Sequence, residues 1–274
     1  MSAHETSNGR VWFDALTGAA QSGASGLRTV LAADTPLGAE LARHVAVVPD
    51  PANRFPRART GEVGLEEGWA VAAVVRDAIV ADAGQLRRPI IAIVDVSSQA
   101  YGRREELLGI HLACAAAADA YASARLAGHP VVALLVGKAM SGAFLAHGYQ
   151  ANRILALDSP DVSIHAMSKP AAARVTRRSI EDLERLGERI PPMGYPVLAF
   201  ASLGLVHRLI EGVNAAAPTA EDVLHVRREI LGAVTEIRRS PRDLRERWSN
   251  AAAQQTRAAS IAVRRRLAEQ WRDP

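Results

Sequence analysis

Pro130-Val-Val-Ala-Leu-Leu-Val136 runs directly into Gly137-Lys-Ala-Met-Ser-Gly-Ala-Phe-Leu-Ala-His-Gly148. The first part is apolar throughout, β-branched at Val131, Val132 and Val136, and opened by a proline, the pattern of a strand covered on both faces. Gly137 and the small cluster Ser141-Gly142-Ala143 then predict a turn leading into a helix. Strand, glycine turn and helix N-terminus together aim backbone N–H groups at a negatively charged oxygen. Taken alone, the stretch reads either as an oxyanion hole or as a tight strand-to-helix turn of some α/β protein.

Its neighbours repeat the pattern. Upstream, Arg88-Pro-Ile-Ile-Ala-Ile-Val-Asp-Val96 is a second buried-strand run, followed by Ser97-Ser98-Gln99-Ala100-Tyr101-Gly102 and a helix from Arg103. Downstream, Asn152–Leu157 and Val162–His165 predict short strands, and Ala201–Ile210 leaves a helix at Gly204 and enters a strand. Thr29–Ala33 and His44–Val48 also read as strands. Strand–helix alternation at this spacing predicts a mostly parallel sheet with right-handed crossovers. Ligands of such sheets lie beyond the carboxyl ends of the strands, where both turns fall.

Helical spacing covers Leu65–Leu86, Glu105–Leu126, Thr219–Arg238 and Leu244–Trp271. The last two form a C-terminal helical extension, with faces suited to packing on a partner subunit. Pro49–Gly64, with three prolines and two glycines, predicts a loop long enough for a functional role. Residues 1–25 mix Gly, Ser and Ala and predict a loosely packed arm with a short helix near Trp12. One domain, residues 26–274, accounts for the rest.

The 274 residues are 49% hydrophobic but only 4% aromatic, so alanine and short aliphatics have to pack the core. No window is long and apolar enough to span a membrane, and Met1–Thr6 has no secretory pattern. A single cysteine excludes an internal disulfide, and a reducing cytoplasm is the expectation. Net charge is +4 and nearly all arginine; Lys138 and Lys169 are the two lysines. Arginines alternate with acids, so no basic, aromatic-lined face for nucleic acid is expected.

Familiar chemistries drop out. Ala139-Met-Ser-Gly-Ala143 lacks the first glycine of a nucleophile elbow, and Gly137-Lys138 has no glycine spaced for a phosphate-binding loop. The eight histidines show no ligand spacing, so no metal site is expected. Cys114, set among alanines, reads as packing rather than as a nucleophile.

The Ser141-Gly142-Ala143 turn, the Asp95–Gly102 loop and the Gly204-Leu205-Val206 exit together resemble the carboxyltransferase branch of the ClpP/crotonase superfamily. Gly137–Gly148 with Ser163-Ile-His-Ala-Met-Ser-Lys-Pro170 is most similar to the gamma subunits of biotin-independent malonate decarboxylases. The similarity spans nearly the whole chain and is weakest before Gly26. Two departures from the carboxyltransferases stand out. Those relatives carry Pro-Gly where this chain has Ser97-Ser98, and often glycine where it has Ser141.

The resemblance implies a crotonase-like fold and decarboxylation of a malonyl group on an acyl carrier protein. The chain alone then binds no cofactor; a CoA-like, phosphopantetheine-type prosthetic group arrives on the carrier. It also implies a site shared with a homologous beta subunit, in a complex with the carrier and its transferase. Loss of carbon dioxide leaves an enolate, and each preorganised N–H donor facing its oxygen contributes roughly 10²–10³-fold in rate. The amides of Gly142 and Ala143, assisted by Ser98 and Gln99, form one expected oxyanion site, which holds either the thioester oxygen or the departing carboxylate. Ser141 either hydrogen-bonds the carboxylate, with Tyr101 and Gln99 behind it, or caps the turn. His165 is the candidate acid, His147, one turn into a helix, reads as packing rather than as the proton relay, and Tyr101, Gly102, Lys138 and Met140 line the substrate. A biotin-dependent carboxyltransferase subunit and a catalytically silent scaffold are the alternatives.

Overall fold

The unbroken apolar runs become the central strands. In the computed structural model, which describes residues 7–19 and 26–271, β3 (Ile90–Val96) and β4 (Val131–Met140) pair in parallel with Ile90 opposite Val131. Every residue of β4 from Val131 to Gly137 is buried, as layers of helix on both faces require. One edge of the sheet is an antiparallel hairpin, β1 (Val30–Leu37) and β2 (Glu40–Val47). The other is β5 (Arg153–Leu157) followed by β7 (Arg208–Ile210). All pairings beyond the hairpin are parallel, in the order β1-β2-β3-β4-β5-β7.

α1 (Asn8–Thr17), α2 (Leu65–Ala81) and α4 (Ile110–Ala127) pack on this sheet, with the short α3 (Arg103–Leu107) before α4. A Cβ at Gly68 of α2 would stand 2.6 Å from the Ala113 carbonyl oxygen, so glycine sets how closely α2 and α4 approach. Ala116, Ala117, Ala120 and Ala124 are buried along the α4 side of that contact, the alanine packing expected from the composition.

Beyond β4 come α5 (Ser141–Ala146), β6 (Ser163–His165), α6 (Lys169–Thr176), α7 (Ile180–Arg189) and α8 (Val197–Ser202). The chain closes with α9 (Ala220–Arg238), α10 (Glu246–Ser249), α11 (Ala251–Thr256) and α12 (Ala258–Gln270). No described helix is long and apolar enough to cross a membrane.

Four expectations need correction. Residues 1–6 and 20–25 of the expected arm lie outside the described residues, but Asn8–Thr17 is no loose segment. Trp12 and Phe13 of α1 are fully buried, and the Trp12 indole donates to the Ala215 carbonyl at 2.8 Å. The helix expected over Glu105–Leu126 is broken at Leu108–Gly109, where Gly109 turns into the left-handed region. Leu244–Trp271 is three pieces, because Asn250 caps α11 with its side chain and its amide nitrogen donates to the Gly204 carbonyl at 2.8 Å. Finally, β4 does not turn at Gly137 but continues to Met140.

That last difference positions the site. Val94 faces Leu135 but Val96 faces Ala139, so β4 carries two extra residues opposite Asp95. The Asp95 carboxylate fills the bulge, accepting from the Lys138 amide at 3.0 Å and from the Gly9 amide at 3.1 Å. Asn8 donates to the Val136 carbonyl at 2.9 Å, so the start of α1 plugs the same gap. A Cβ on Gly137 would overlap the Asp95 carboxylate. Past the bulge β4 leaves β5 behind and pairs with β6 instead, with Met140 opposite His165.

Candidate active site

Two turns at the carboxyl ends of β3 and β4 meet. The Ser97–Gly102 loop is pinned on one side by Val63, whose amide donates to the Ser98 carbonyl at 3.0 Å and whose carbonyl accepts from the Ala100 amide at 2.8 Å. On the other side β4 ends at Met140, and Ser141 adopts φ +58°, in the left-handed region that L residues rarely occupy. That kink turns the chain into α5 and presents the Gly142 amide, which donates to Oε1 of Gln99 at 3.0 Å. Sequence reasoning left this donor open; the fold hands it to Gln99. Ala143 is fully buried. The Ser98 hydroxyl is used locally, donating to the Gln99 carbonyl at 2.8 Å.

Beside these turns lies a cleft of about 700 Å³, a volume usual for ligand sites. Ser97, Lys138 and Met140 line it from the sheet; Lys169, Tyr195 and Leu198 line it from the later segments. Of the expected substrate contacts, Lys138 and Met140 therefore face the cleft. Tyr101 and Gly102 do not line it. Tyr101 is 45% exposed, with the Arg57 guanidinium 5.1 Å from its ring centroid, which ties it to the Pro49–Gly64 loop. Gly102 starts α3, where a Cβ would stand 2.5 Å from a Glu105 carboxylate oxygen.

The two histidines differ. The His165 ring stacks on Tyr195 at 3.9 Å between centroids, with Nδ1 3.1 Å from the Met167 carbonyl oxygen. Burial lowers its pKa, so the neutral imidazole prevails at neutral pH. His147 is sealed in the core, Nδ1 3.0 Å from the Tyr121 hydroxyl and Nε2 2.9 Å from the Ile93 carbonyl, and burial pulls it down to about 4. It packs and holds no route to the cleft. Burial also pushes the Cys114 thiol up to about 11, away from nucleophilic use. Tyr195 was missed from sequence, where a lone tyrosine in a loop gives no signal. Among the described residues no three or more potential ligands gather around a metal position.

A mostly parallel sheet that ends in a strand-to-helix turn, offering a backbone amide beside a cleft, defines a crotonase-like carboxyltransferase fold. The transcarboxylase 12S core has it, with a TM-score of 0.59 over 78% of this chain and 37% of that chain, a likeness of fold alone at 20% identity. The malonate decarboxylase gamma subunit family matches residues 58–271, and the chain belongs to that family. A Pseudomonas malonate decarboxylase hetero-tetramer in complex with coenzyme A contains a chain that is 53% identical, with a TM-score of 0.91, aligned over 97% of this chain and 100% of that one. The Pseudomonas malonate decarboxylase MdcD-MdcE hetero-dimer matches at 52% identity and a TM-score of 0.89, over 97% and 100% of the two chains. The Malonomonas rubra malonyl-S-ACP:biotin-protein carboxyltransferase MADD is 39% identical over 192 residues, 69% of this chain and 66% of that protein.

Proposed function

We propose that this chain supplies half of an active site that converts malonyl-S-acyl carrier protein into the acetyl thioester without biotin. The other half comes from a homologous beta subunit, with the carrier and its transferase completing the complex. The Pseudomonas hetero-dimer supports the two-chain reading. The single cysteine and the absence of a described membrane-crossing helix are consistent with a cytoplasmic complex.

The observation that carries the chemistry is the Gly142 amide, set by the Ser141 kink two residues past Met140 of the cleft wall, although Gly142 itself does not line the cleft. As the bond to the malonyl carboxylate breaks, its electron pair moves through the α-carbon onto the thioester oxygen. Carbon dioxide leaves, and the enolate then takes a proton at the α-carbon. A substrate oxygen replaces Oε1 of Gln99 at the Gly142 amide, with Ala143 as the neighbouring donor. Gln99 and Ser98 hold the loop that faces this turn, and Ser141 binds the departing carboxylate. His165 stands across β4–β6 from Met140 and relays the proton that the enolate takes up. A CoA-like arm fits the cleft, whose wall alternates apolar Met140, Val162 and Leu198 with the hydroxyls of Ser159 and Ser163.

The test is carbon dioxide release from a malonyl thioester, biotin-free, by the chain co-expressed with its beta subunit. Gly142→Val, in an assembled complex, is expected to lose at least about a hundredfold in kcat, the worth of one oxyanion donor. Unchanged activity in that variant would move the chemistry to the beta subunit and leave this chain a scaffold. The name of the Malonomonas relative favours a second reading, carboxyl transfer to biotin. Activity that appears only with a biotinylated carrier would select it.

A further inference from the structure

Thirty-three residues of this chain are lysine or arginine, and the two lysines, Lys138 and Lys169, line the same cleft. Everywhere else the chain uses a guanidinium. An ammonium is a compact point charge with three rotatable donors, suited to a narrow site where an anion is met end-on. Lys138 is exposed at the end of β4, two residues before Met140, and makes no ion pair among the described residues. Lys169 lies 5.5 Å from the Tyr195 ring centroid and pairs with Glu184 of α7 at 2.6 Å. Both members of that pair are solvent-accessible, so a ligand anion displaces the carboxylate at little cost.

Two further features converge there. Ser168, Lys169 and Pro170 all line the cleft, so α6 starts at its wall, and no side chain caps that start. Pro170 has no amide hydrogen and the Ala172 amide donates to the Ser168 carbonyl at 2.9 Å, which leaves the amides of Lys169 and Ala171, with the partial positive charge of a helix start, without a partner within the helix. Tyr195 is only 8% exposed, and its hydroxyl is buried with no hydrogen-bond partner. A buried hydroxyl almost always has one. Asp158 is the acid in the lining.

We propose that Lys138, Lys169, the open start of α6 and the Tyr195 hydroxyl form an anion subsite for the incoming thioester. The subsite takes anionic oxygens, either the malonyl carboxylate or the phosphates of the CoA-like arm. This rests on the malonyl-thioester reading above and adds to it the residues that recognise the substrate's charge.

The experiment is calorimetric binding to the complex with the beta subunit, using acetyl-CoA, malonyl-pantetheine and the uncharged acetyl-pantetheine. The double variant Lys138→Met/Lys169→Met is expected to lose about tenfold or more in affinity for an anionic probe, the usual worth of hydrogen bonds to charged groups. Acetyl-pantetheine binding should be unchanged, and the loss should shrink at high salt. Tyr195→Phe, which keeps the ring under His165, should weaken the same probe by a smaller factor. Loss confined to acetyl-CoA assigns the phosphates; loss with malonyl-pantetheine assigns the carboxylate. Equal loss with the uncharged probe, or no loss with any, overturns the subsite. A wild type that binds acetyl-CoA through these lysines yet releases no carbon dioxide would leave the subsite standing and remove the decarboxylase reading.

Discussion

The Gly142 amide donates to Oε1 of Gln99 at 3.0 Å, and a Cβ on Gly142 would stand 3.1 Å from that same oxygen. One neutral side chain thus holds the amide proposed above as the oxyanion donor. An oxygen gathering negative charge makes a stronger hydrogen bond than a neutral amide, so the exchange favours the transition state.

Removing the competitor should therefore tighten binding. Gln99→Ala is expected to lower KM for the malonyl thioester about two- to tenfold with kcat retained, since the displaced bond is worth about 0.5–1.5 kcal/mol. Steady-state kinetics on the complex decides this. A collapse of kcat at constant KM would mean that Gln99 itself meets the reacting atoms.

The bulge in β4 has a steric signature. A Cβ on Gly137 overlaps the Asp95 carboxylate, which is tied to the amides of Lys138 and Gly9. Gly137→Ala should destabilise by about 1–3 kcal/mol, the cost of overpacking, which lowers the melting temperature by several degrees. In the double variant with Asp95→Ala the two effects should fail to add by about 1 kcal/mol. Strict additivity in denaturant titrations would mean that the two groups do not share the bulge.

His147 makes stability pH-dependent. Free in the unfolded chain it takes a proton near pH 6.5, but in the core only near 4, because burial opposes the charge. The folded state keeps this contribution above pH 6.5 and loses it as the pH falls towards 4, where the unfolded chain binds the extra proton. The full span is worth roughly 3 kcal/mol. Buried His44, also lowered to about 4, acts in the same direction. Urea titrations between pH 7.5 and 4.5 should show stability falling with acid, and His147→Gln should reduce the slope by about one proton. An undiminished slope would place the titration elsewhere.

Helix α1 belongs to the core. Trp12→Ala removes a fully buried ring and leaves the Ala215 carbonyl without its indole partner. The expected cost is about 3–5 kcal/mol, a fall in melting temperature on the order of 10 °C by calorimetry. A change below about 1 kcal/mol would show that α1 docks only weakly.

Much of the scaffold was legible because burial on both faces writes itself as unbroken apolar runs. β3 follows Arg88–Val96 closely, and β4 takes up Val131–Val136 before running on to Met140. The small residues at Ser141-Gly142-Ala143 marked the turn, since only small side chains let a backbone amide face a ligand. Gly137 misled, because a glycine reads as a turn residue whether it frees φ or simply makes room. Here it makes room for Asp95, a residue of the neighbouring strand. Trp12 misled similarly: its Gly- and Ser-rich surroundings look loose, yet its helix packs on the sheet and on α9, and its indole finds the Ala215 carbonyl far along the chain.

What the sequence determined by itself is whatever depends on near neighbours: the alternation of strands and helices, the direction of the sheet, and the small-residue turn after β4. These follow from periodicity and side-chain size within a few residues. Tertiary structure alone decided which groups meet. It gave the Gly142 amide to Gln99, set Asp95 in the bulge, and brought both lysines and an unpartnered tyrosine hydroxyl to one cleft. Contacts between segments distant in the chain depend on how the sheet bends and which strand β4 pairs with last, and no local pattern records either.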